Sequence, residues 1–335
     1  MRRLAAWVAL CACVAPRLGA QAPTPAPTAA PIITSLAVFA GTPSGLWQSR
    51  NWGGSWEKVR GEEIESAGAI HAILAIGPRV FAGGDGGLWV SDDFGATWKR
   101  AWSEKPVLAI LASRYPLADT TVFLGTPDGL YRSPDWGRNV APHALAGVAV
   151  TRLEWPGPAL VAATAQGLLV SKDSGRTFKN SEKGLSAGPV RAMALSSYFA
   201  VDPVVFAATE AGGVHRSSDG GATWQPAGLE DRRVSDLYWL GPFLYAAADD
   251  GVWRTQDLGR NWVGIGKGLR GATTRLLFPL APDSGATIFL GSEAGVYRSL
   301  SGGIQWSPSG LAEENVLALA TFPPPQRPVG KEKKR

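Results

Sequence analysis

Residues 80–98 read VFAGGDGGLWVSDDFGATW, and this stretch is the clearest of seven related copies in the chain. Each copy has an apolar run, a Gly-rich loop, a second run with an aromatic residue, and a turn resembling Ser-x-Asp-x-Gly-x-Thr-Trp. The Ser or Thr that opens the turn recurs at Ser49, Ser91, Ser133, Ser171, Ser217, Thr255 and Ser299. A period of about 42 residues is typical of one four-stranded propeller blade.

The copy at residues 234–263 indicates how one unit folds. Its four short apolar runs are separated by turns at 241–242, 249–251 and 257–259. Such runs, bounded by Gly, Pro and Asp, indicate the strands of an antiparallel meander. One sheet cannot bury both of its faces alone, whereas seven packed radially can. The sequence therefore predicts an all-β fold, a single seven-bladed β-propeller of four-stranded antiparallel blades.

The end of the repeat array predicts how the ring closes. The first copy starts near Val38 and lacks an inner strand before it. Residues 315–320, NVLALA, resemble the inner strands of other copies but have no outer strands of their own. We expect this C-terminal strand to complete blade 1 and close the propeller.

The acidic position of the turn is expected to be structural rather than a ligand site. Its side chain can accept hydrogen bonds from backbone N–H groups across the turn, while Gly allows a positive φ and Trp anchors the blade. The predicted structural residues are Asn51, Asp93, Asp135, Asp173, Asp219 and Asp257. The seventh copy has Ser301 at this position.

These turns resemble Asp-box repeats, also called BNR repeats, of sialidases, sortilin-type receptors, large endoglucanases and photosystem II stability/assembly factors. The resemblance covers residues 33–322. The variants GVYRS at 295–299 and GLYRS at 129–133 look most like the assembly-factor branch. That branch implies a non-catalytic propeller that meets a membrane-protein client through an arginine patch. The shared residues are scaffold, so the resemblance implies the fold more directly than the function.

The two ends of the chain predict export. Residues 1–20 have the pattern of a cleaved signal peptide, 21–32 of a Pro/Ala-rich linker, and 323–335 of a basic Pro-rich tail outside the propeller at 33–322. We therefore expect a periplasmic or extracellular protein, with lipid attachment at Cys13 as the alternative to simple cleavage. Cys11 and Cys13 are the only cysteines, so the mature chain has no thiol.

Composition limits the partners. With three histidines and no thiol, neither a metal nor another cofactor is expected. The net charge of +5 lies partly in the tail, which either is a solvated segment or attracts an anionic membrane or acidic partner. No recognition motif for nucleic acid is present.

Two sets of charged residues are predicted near the central channel. The loops between second and third strands carry Asp85, Asp128, Glu210, Asp250 and Glu293. These acids either form a ring that holds a cation or supplies a catalytic pair, or simply suit exposed turns. Inner strands begin with His71, Thr151, Arg152, Arg191, Ser235, Asp236, Arg275 and Asn315. Of these, Arg152, Arg191 and Arg275 either clamp a carboxylate or sulfate, or face a wet channel and pair with local acids.

Two columns recur along the third strands. The aromatic column is Trp47, Trp89, Tyr131, His215, Trp253 and Tyr297, and strand alternation places it between the blades as core. The arginine column is Arg132, Arg216, Arg254 and Arg298. We take this column as the first candidate for a partner-binding stripe, and the three channel-mouth arginines as the second.

The functional expectation is a non-catalytic exported propeller that binds another protein, in a membrane-associated complex of the photosynthetic type. The alternative is a glycan-binding or glycoside-hydrolysing Asp-box protein. The chain lacks the Arg-Ile-Pro motif of sialidases, no Tyr–Glu pair is evident at the channel mouth, and Asp-box endoglucanases generally need two propellers. No enzyme activity is therefore expected.

Overall fold

The computed structural model describes residues 37–61, 63–113, 118–155, 159–181, 183–186, 188–196, 202–277 and 287–321. They form seven four-stranded antiparallel sheets arranged as the blades of one closed propeller. The prediction of an all-β seven-bladed propeller is confirmed. The predicted signal peptide, linker and basic tail lie outside the described residues. Within the described ranges, no helix is long and apolar enough to cross a membrane.

Each blade runs from an inner strand at the channel to an outer strand at the rim. From blade 1 to blade 7 the inner strands are β28 (Ala318–Thr321), β4 (Ile70–Ile76), β8 (Ala109–Ala112), β12 (Val150–Glu154), β16 (Val190–Leu195), β20 (Val234–Leu240) and β24 (Thr273–Leu277). The second strands are β1 (Val38–Thr42), β5 (Arg79–Gly84), β9 (Val122–Thr126), β13 (Leu160–Thr164), β17 (Val205–Thr209), β21 (Phe243–Ala248) and β25 (Ile288–Ser292).

The outer half of each blade is less regular. The third strands are β2 (Gly45–Ser49), β6 (Gly87–Ser91), β10 (Gly129–Ser133), β14 (Gly167–Ser171), β18 (Val214–Ser217), β22 (Gly251–Thr255) and β26 (Gly295–Ser299). The outer strands are β3 (Glu57–Lys58), β7 (Lys99–Trp102), β11 (Ala141–Ala144), β15 (Lys179–Asn180), β19 (Gln225–Pro226), β23 (Val263–Gly264) and β27 (Ser307–Pro308). A single turn of 3-10 helix, Ile64–Ala67, precedes β4.

The core lies between the blades, because both faces of each second strand are buried. Phe39 of blade 1 packs edge-on against Trp98 of blade 2, with ring centres 6.4 Å apart. Phe289 of blade 7 stacks on Trp52 of blade 1 at 5.9 Å. Of the aromatic column, Trp89, Tyr131, His215 and Tyr297 are buried, and Trp47 and Trp253 are half-buried. Large aromatic rings thus join each blade to its neighbour.

The ring closes by pairing the end of the chain with its first described strand. β28 is antiparallel to β1, with Phe39 opposite Ala320 and Gly41 opposite Ala318. The strand occupies 318–321 rather than the expected 315–320. Val316 instead donates its N–H to Ser292 O of blade 7 at 3.1 Å, and Leu317 donates to Gly41 O at 2.7 Å. The C-terminal segment therefore bonds to blades 7 and 1 together.

The turn between third and outer strands has the same hydrogen-bond pattern in all seven blades. The opening Ser or Thr oxygen accepts the N–H of the turn Gly at 2.8–3.1 Å. The side-chain oxygen of Asn51, of the five aspartates or of Ser301 accepts the N–H four residues on, at 2.8–3.0 Å. Asn139 and Asn261 replace the motif Thr and still bond to the aspartate through their side chains.

Deleting residues 313–335 should destabilise the whole ring. Without β28, blade 1 has an unpaired edge, and the fully buried Val316 is lost from the contact with blade 7. Burial of one such side chain stabilises by about 1.5–3 kcal/mol, so the loss of Val316 alone should lower the melting temperature by about 3–12 °C. The matched control deletes only 323–335. Equal melting temperatures for the two truncated proteins would contradict closure by this strand.

Asp93→Ala should lower the free energy of unfolding by about 1–2 kcal/mol at pH 7, because Thr97 and Ser91 lose their acceptor. Burial opposes ionisation of Asp93, but these hydrogen bonds outweigh it and lower its pKa. A lowered folded pKa adds stability that is present above the unfolded pKa of about 4 and is lost as the pH falls. The difference from wild type should therefore shrink at about pH 3.

Urea unfolding at both pH values measures this difference. Asp231→Ala, which removes an exposed carboxylate, is the control and should leave the unfolding free energy nearly unchanged. An Asp93→Ala protein as stable as wild type at pH 7 would show that the turn does not depend on its carboxylate.

Candidate functional site

Five inner strands carry a β-bulge where they enter the central channel. The extra residue is polar in each: His71, Thr151, Arg191, Ser235 and Thr274. A bulge re-aims a side chain, so two consecutive residues can face the same side of a strand. Thr151 and Arg152 of β12 both line the channel in this way. The bulges therefore concentrate polar groups at one end of the channel, its mouth.

Two cavities adjoin along the channel. The channel cavity holds about 220 Å³ and is lined by the inner strands of all seven blades. The mouth cavity holds about 380 Å³ and is lined by residues of blades 4 to 7 and by Leu317. Thr151, Arg152 and Arg275 line both. The structure thus brings the three predicted channel-mouth arginines, Arg152, Arg191 and Arg275, to the mouth cavity.

The other predicted channel residues are spread over the two cavities. His71 and Asp236 line the channel cavity, and Ser235 lines the mouth cavity. Asn315 precedes β28 and lines neither.

The three arginines differ in their partners. Arg191 forms an ion pair with Glu210, but the N–H of Arg191 Nε is not aligned for a hydrogen bond to the carboxylate. Arg275 donates from Nε to Leu317 O at 2.7 Å, and its Nη1 lies 3.9 Å from Asp236 Oδ1. Arg152 donates only from Nη1 to Thr151 O at 2.9 Å, and its buried Nε has no partner among the described residues. Arg152 is thus the least satisfied of the three.

Two carboxyl groups in the channel cavity have different environments. Asp236 accepts the N–H of Leu276 on blade 7 at 2.8 Å and that of Leu237 at 3.1 Å. The Glu154 side chain is exposed in the lumen, yet the protein that surrounds the channel and the nearby Asp236 charge raise its pKa to about 7. The same enclosure, with the charge of Arg275, lowers the pKa of Arg152 to about 9. At neutral pH Arg152 is therefore charged while Glu154 is partly protonated.

The acids of the loops between second and third strands lie beside the inner-strand starts, and four of the five pair with bases. The pairs are Asp85 with His71 at 2.7 Å, Asp128 with Lys105 at 2.6 Å, Glu210 with Arg191 and Arg233, and Asp250 with Arg232 at 2.8 Å. Nowhere in the described part of the chain do three or more His, Cys, Asp or Glu side chains cluster to hold a metal ion.

A basic and aromatic surface lies beside the mouth on blades 5 and 6. We call it the mouth patch: Arg191, Arg232, Arg233 and Trp253. The Arg232 guanidinium lies over the Trp253 ring, 4.1 Å from its centre. The Asp250 carboxylate accepts hydrogen bonds from both Arg232 Nε and Trp253 Nε1, each at 2.8 Å. Arg233 shares Glu210 with Arg191, and 61% of its side chain is exposed. Ion pairs and stacking thus fix these side chains in place.

The arginine column lies farther out, and all four of its side chains are half-buried. Arg132 donates to Thr121 Oγ1 at 3.0 Å, and Arg298 donates to Trp52 O of the adjacent blade at 2.8 Å. Arg254 lies over the Phe243 ring at 4.4 Å. Arg216 has a buried Nε without a partner among the described residues. A partner-binding role for this column stays a prediction.

Sequence reasoning missed Glu154, Tyr238 and Arg232. Glu154 follows Arg152 by two residues, and Tyr238 follows Asp236 by two, so strand alternation could have placed both in the channel. Tyr238 and Glu154 line the channel cavity, and neither lines the mouth cavity. Arg232 precedes its strand, and only the structure reveals its stacking on Trp253.

Comparisons with known proteins agree with this fold. The sequence model of the BNR-Asp box repeat matches residues 88–100. No curated protein matches the chain in sequence. YCF48 from Cyanidioschyzon merolae is similar in structure, with a TM-score of 0.57 and 17% identity over 78% of this chain and 90% of that one.

Two further solved structures are similar to this chain at low sequence identity. YCF48 bound to D1 peptide has a TM-score of 0.56 and 17% identity over 71% of this chain and 81% of that one. The GH74 enzyme of Niastella koreensis has a TM-score of 0.56 and 13% identity over 82% of this chain but 57% of that one. Because these identities are low, the likeness concerns the fold. The chain is a seven-bladed β-propeller in which residues 88–100 match the BNR-Asp box repeat.

Proposed function

We propose that this protein is a non-catalytic exported propeller that binds an acidic segment of another protein, in a membrane-associated complex, through the mouth patch. The observation that carries the proposal is the fixed cluster of Arg232, Arg233 and Trp253 on an accessible face. Arginine and tryptophan dominate the energetics of protein interfaces because they combine large contact area with directed hydrogen bonds. Side chains already held in one position lose little conformational entropy when a partner binds.

The charge of the mouth patch favours an acidic partner. In these ion pairs three arginines share two carboxylates, Glu210 and Asp250, so one guanidinium charge has no carboxylate of its own, while the exposed Glu230, Asp231 and Asp249 flank the patch. Each guanidinium has further N–H donors beyond those used in its ion pair. A carboxylate-rich segment could meet these donors without displacing the internal pairs.

The structural comparisons also support protein binding. This chain spans most of the YCF48 chains, one of which is bound to a peptide, but little more than half of the GH74 enzyme. The likeness to a propeller that is bound to a peptide supports a binding role for this chain.

Charge reversal in the mouth patch tests the proposal. The Arg232→Glu/Arg233→Glu protein should keep its melting temperature and lose the partner during affinity purification from membranes, with quantitative mass spectrometry as the readout. Raised salt should weaken wild-type binding, since screening acts on exposed charges. The control Lys99→Glu/Lys179→Glu makes the same charge change on exposed outer strands and should keep the partner.

A third arm tests the arginine column with Arg216→Glu/Arg254→Glu. If the mouth-patch variant recovers the same protein at wild-type yield, the patch is not the interface. Loss of the partner only in the column variant, with its fold intact, would assign binding to the column.

One observation favours the alternative of a glycoside hydrolase. Glu154 has a raised pKa and shares the channel cavity with Asp236, and an acid paired with an ionised carboxylate is the arrangement of glycosidases. Two features oppose it. Both carboxylate oxygens of Asp236 already accept hydrogen bonds from backbone N–H groups. The channel cavity, at about 220 Å³, is also smaller than most ligand pockets.

We therefore expect purified protein to release no product from sialosides or β-glucans above the level of the Glu154→Gln variant. Reducing-sugar and fluorogenic assays measure this. Turnover that Glu154→Gln abolishes, in a folded protein, would establish the hydrolase instead.

A further inference from the structure

The channel contains a positive charge, that of Arg152, which makes no stabilising contact between blades among the described residues. Arg275 bonds to Leu317 O of the closing segment, and Asp236 accepts an N–H from blade 7, so both join neighbouring blades. Among the described residues Arg152 makes no such bond, and the one hydrogen bond that it donates there is to the carbonyl of Thr151. Its Nε is buried without a partner among the described residues. Leaving a buried charged donor unpaired costs about 1–3 kcal/mol or more.

The local charge count shows what would compensate Arg152. Arg152 and Arg275 contribute two positive charges, and Asp236 contributes one negative charge. When Glu154 is protonated, one positive charge is left over. A single negative charge, placed between the two guanidinium groups, would neutralise the cluster.

We propose that Arg152 and Arg275 form a binding site for a small monoanionic carboxylate at the junction of the mouth and channel cavities. Both arginines line both cavities, so a ligand entering the mouth meets them together. The planar guanidinium fork matches the two oxygens of a carboxylate, and Arg152 offers the unused Nε. This site is separate from the mouth patch and does not depend on protein binding there.

The size and polarity of the site restrict the ligand. The hydroxyls of Ser235 and Thr274 already donate to backbone carbonyls of the next blade, so the arginines are the main free donors. Leu153, Leu237 and Leu276 line the channel cavity beyond them. A carboxylate with a short apolar tail fits this arrangement, whereas a dianion would leave excess negative charge beside Asp236.

Glu154 makes the site sensitive to pH. The charged or titratable side chains that share the channel cavity with it are Arg152, Asp236, Tyr238, Arg275 and His71, and His71 is paired with Asp85 outside the cluster. The elements β8, β16 and β28 contribute uncharged groups to this cavity. Since the pKa of Glu154 is about 7, its carboxylate competes with a bound anion above that pH and is neutral below it. Binding should strengthen as the pH falls through about 7.

Isothermal titration of acetate into the full chain, at constant ionic strength with chloride, tests the site. We expect saturable binding that is about tenfold weaker at pH 8 than at pH 6. A tenfold change is the largest that one competing carboxylate with a pKa of about 7 can cause between these two pH values. Acetate should bind more tightly than sulfate. A crystal structure at pH 6 with acetate should show the ligand between Arg152 and Arg275.

Three variants separate this site from a nonspecific charge effect. Arg152→Gln should reduce acetate affinity at least tenfold, as expected for loss of a charged hydrogen bond of about 1.5–3 kcal/mol. Glu154→Gln should bind at pH 8 as wild type does at pH 6. Arg132→Gln removes the same charge from the third strand of blade 3, where Arg132 lines neither cavity, and should bind as wild type.

The outcomes decide the assignment. Absence of saturable acetate binding at pH 6, or undiminished binding by folded Arg152→Gln, overturns it. Tighter binding of sulfate than of acetate overturns the monoanion selectivity. If Arg232→Glu/Arg233→Glu binds acetate normally but loses its protein partner, both proposals hold separately.

Discussion

A four-stranded blade buries both of its faces only between two neighbouring blades, so every blade depends on an unbroken ring. Burial in this propeller follows that constraint: the second strands are inaccessible on both faces, and aromatic contacts link successive blades. The ring is completed by β28, which brings Val316 into the space between blades 7 and 1. One short C-terminal strand therefore supports packing around the whole circle, because no blade is stable with one face uncovered.

The same ring creates the chemistry of its centre. Inner strands converge on a channel too narrow for many large side chains, and regular alternation would send only every second residue into it. Bulges at five strand entrances break this alternation, and the extra residues Thr151, Arg191, Ser235 and Thr274 line the mouth cavity while His71 lines the channel cavity. Some of these groups tie one blade to the next, as Thr274 does to Val316 O. Structural and ligand-accessible polar groups are consequently mixed at one place.

The sequence was sufficient to predict the blade count, the closure and the seven turns, because each rests on a local pattern repeated in the chain. It also placed Arg152, Arg191 and Arg275 near one another, since all three lie near the starts of inner strands. It did not predict the bulges, which depend on pairing geometry rather than residue type. Nor did it predict that Arg232 stacks on Trp253 or that Arg298 bonds to Trp52 O, because both contacts depend on three-dimensional packing.

The charged residues of the channel differ in what the fold requires of them. Buried charges are tolerated when hydrogen bonds and opposite charges compensate their desolvation. Asp236 and Arg275 meet this condition through bonds to neighbouring blades, so ring closure explains them. Arg152 does not: its burial lowers its pKa to about 9, yet it stays charged at neutral pH, with Glu154 only partly ionised beside it. If this position had only a structural role, an apolar residue would stabilise the propeller equally well. The charge of Arg152 therefore favours the binding of an anion from solution.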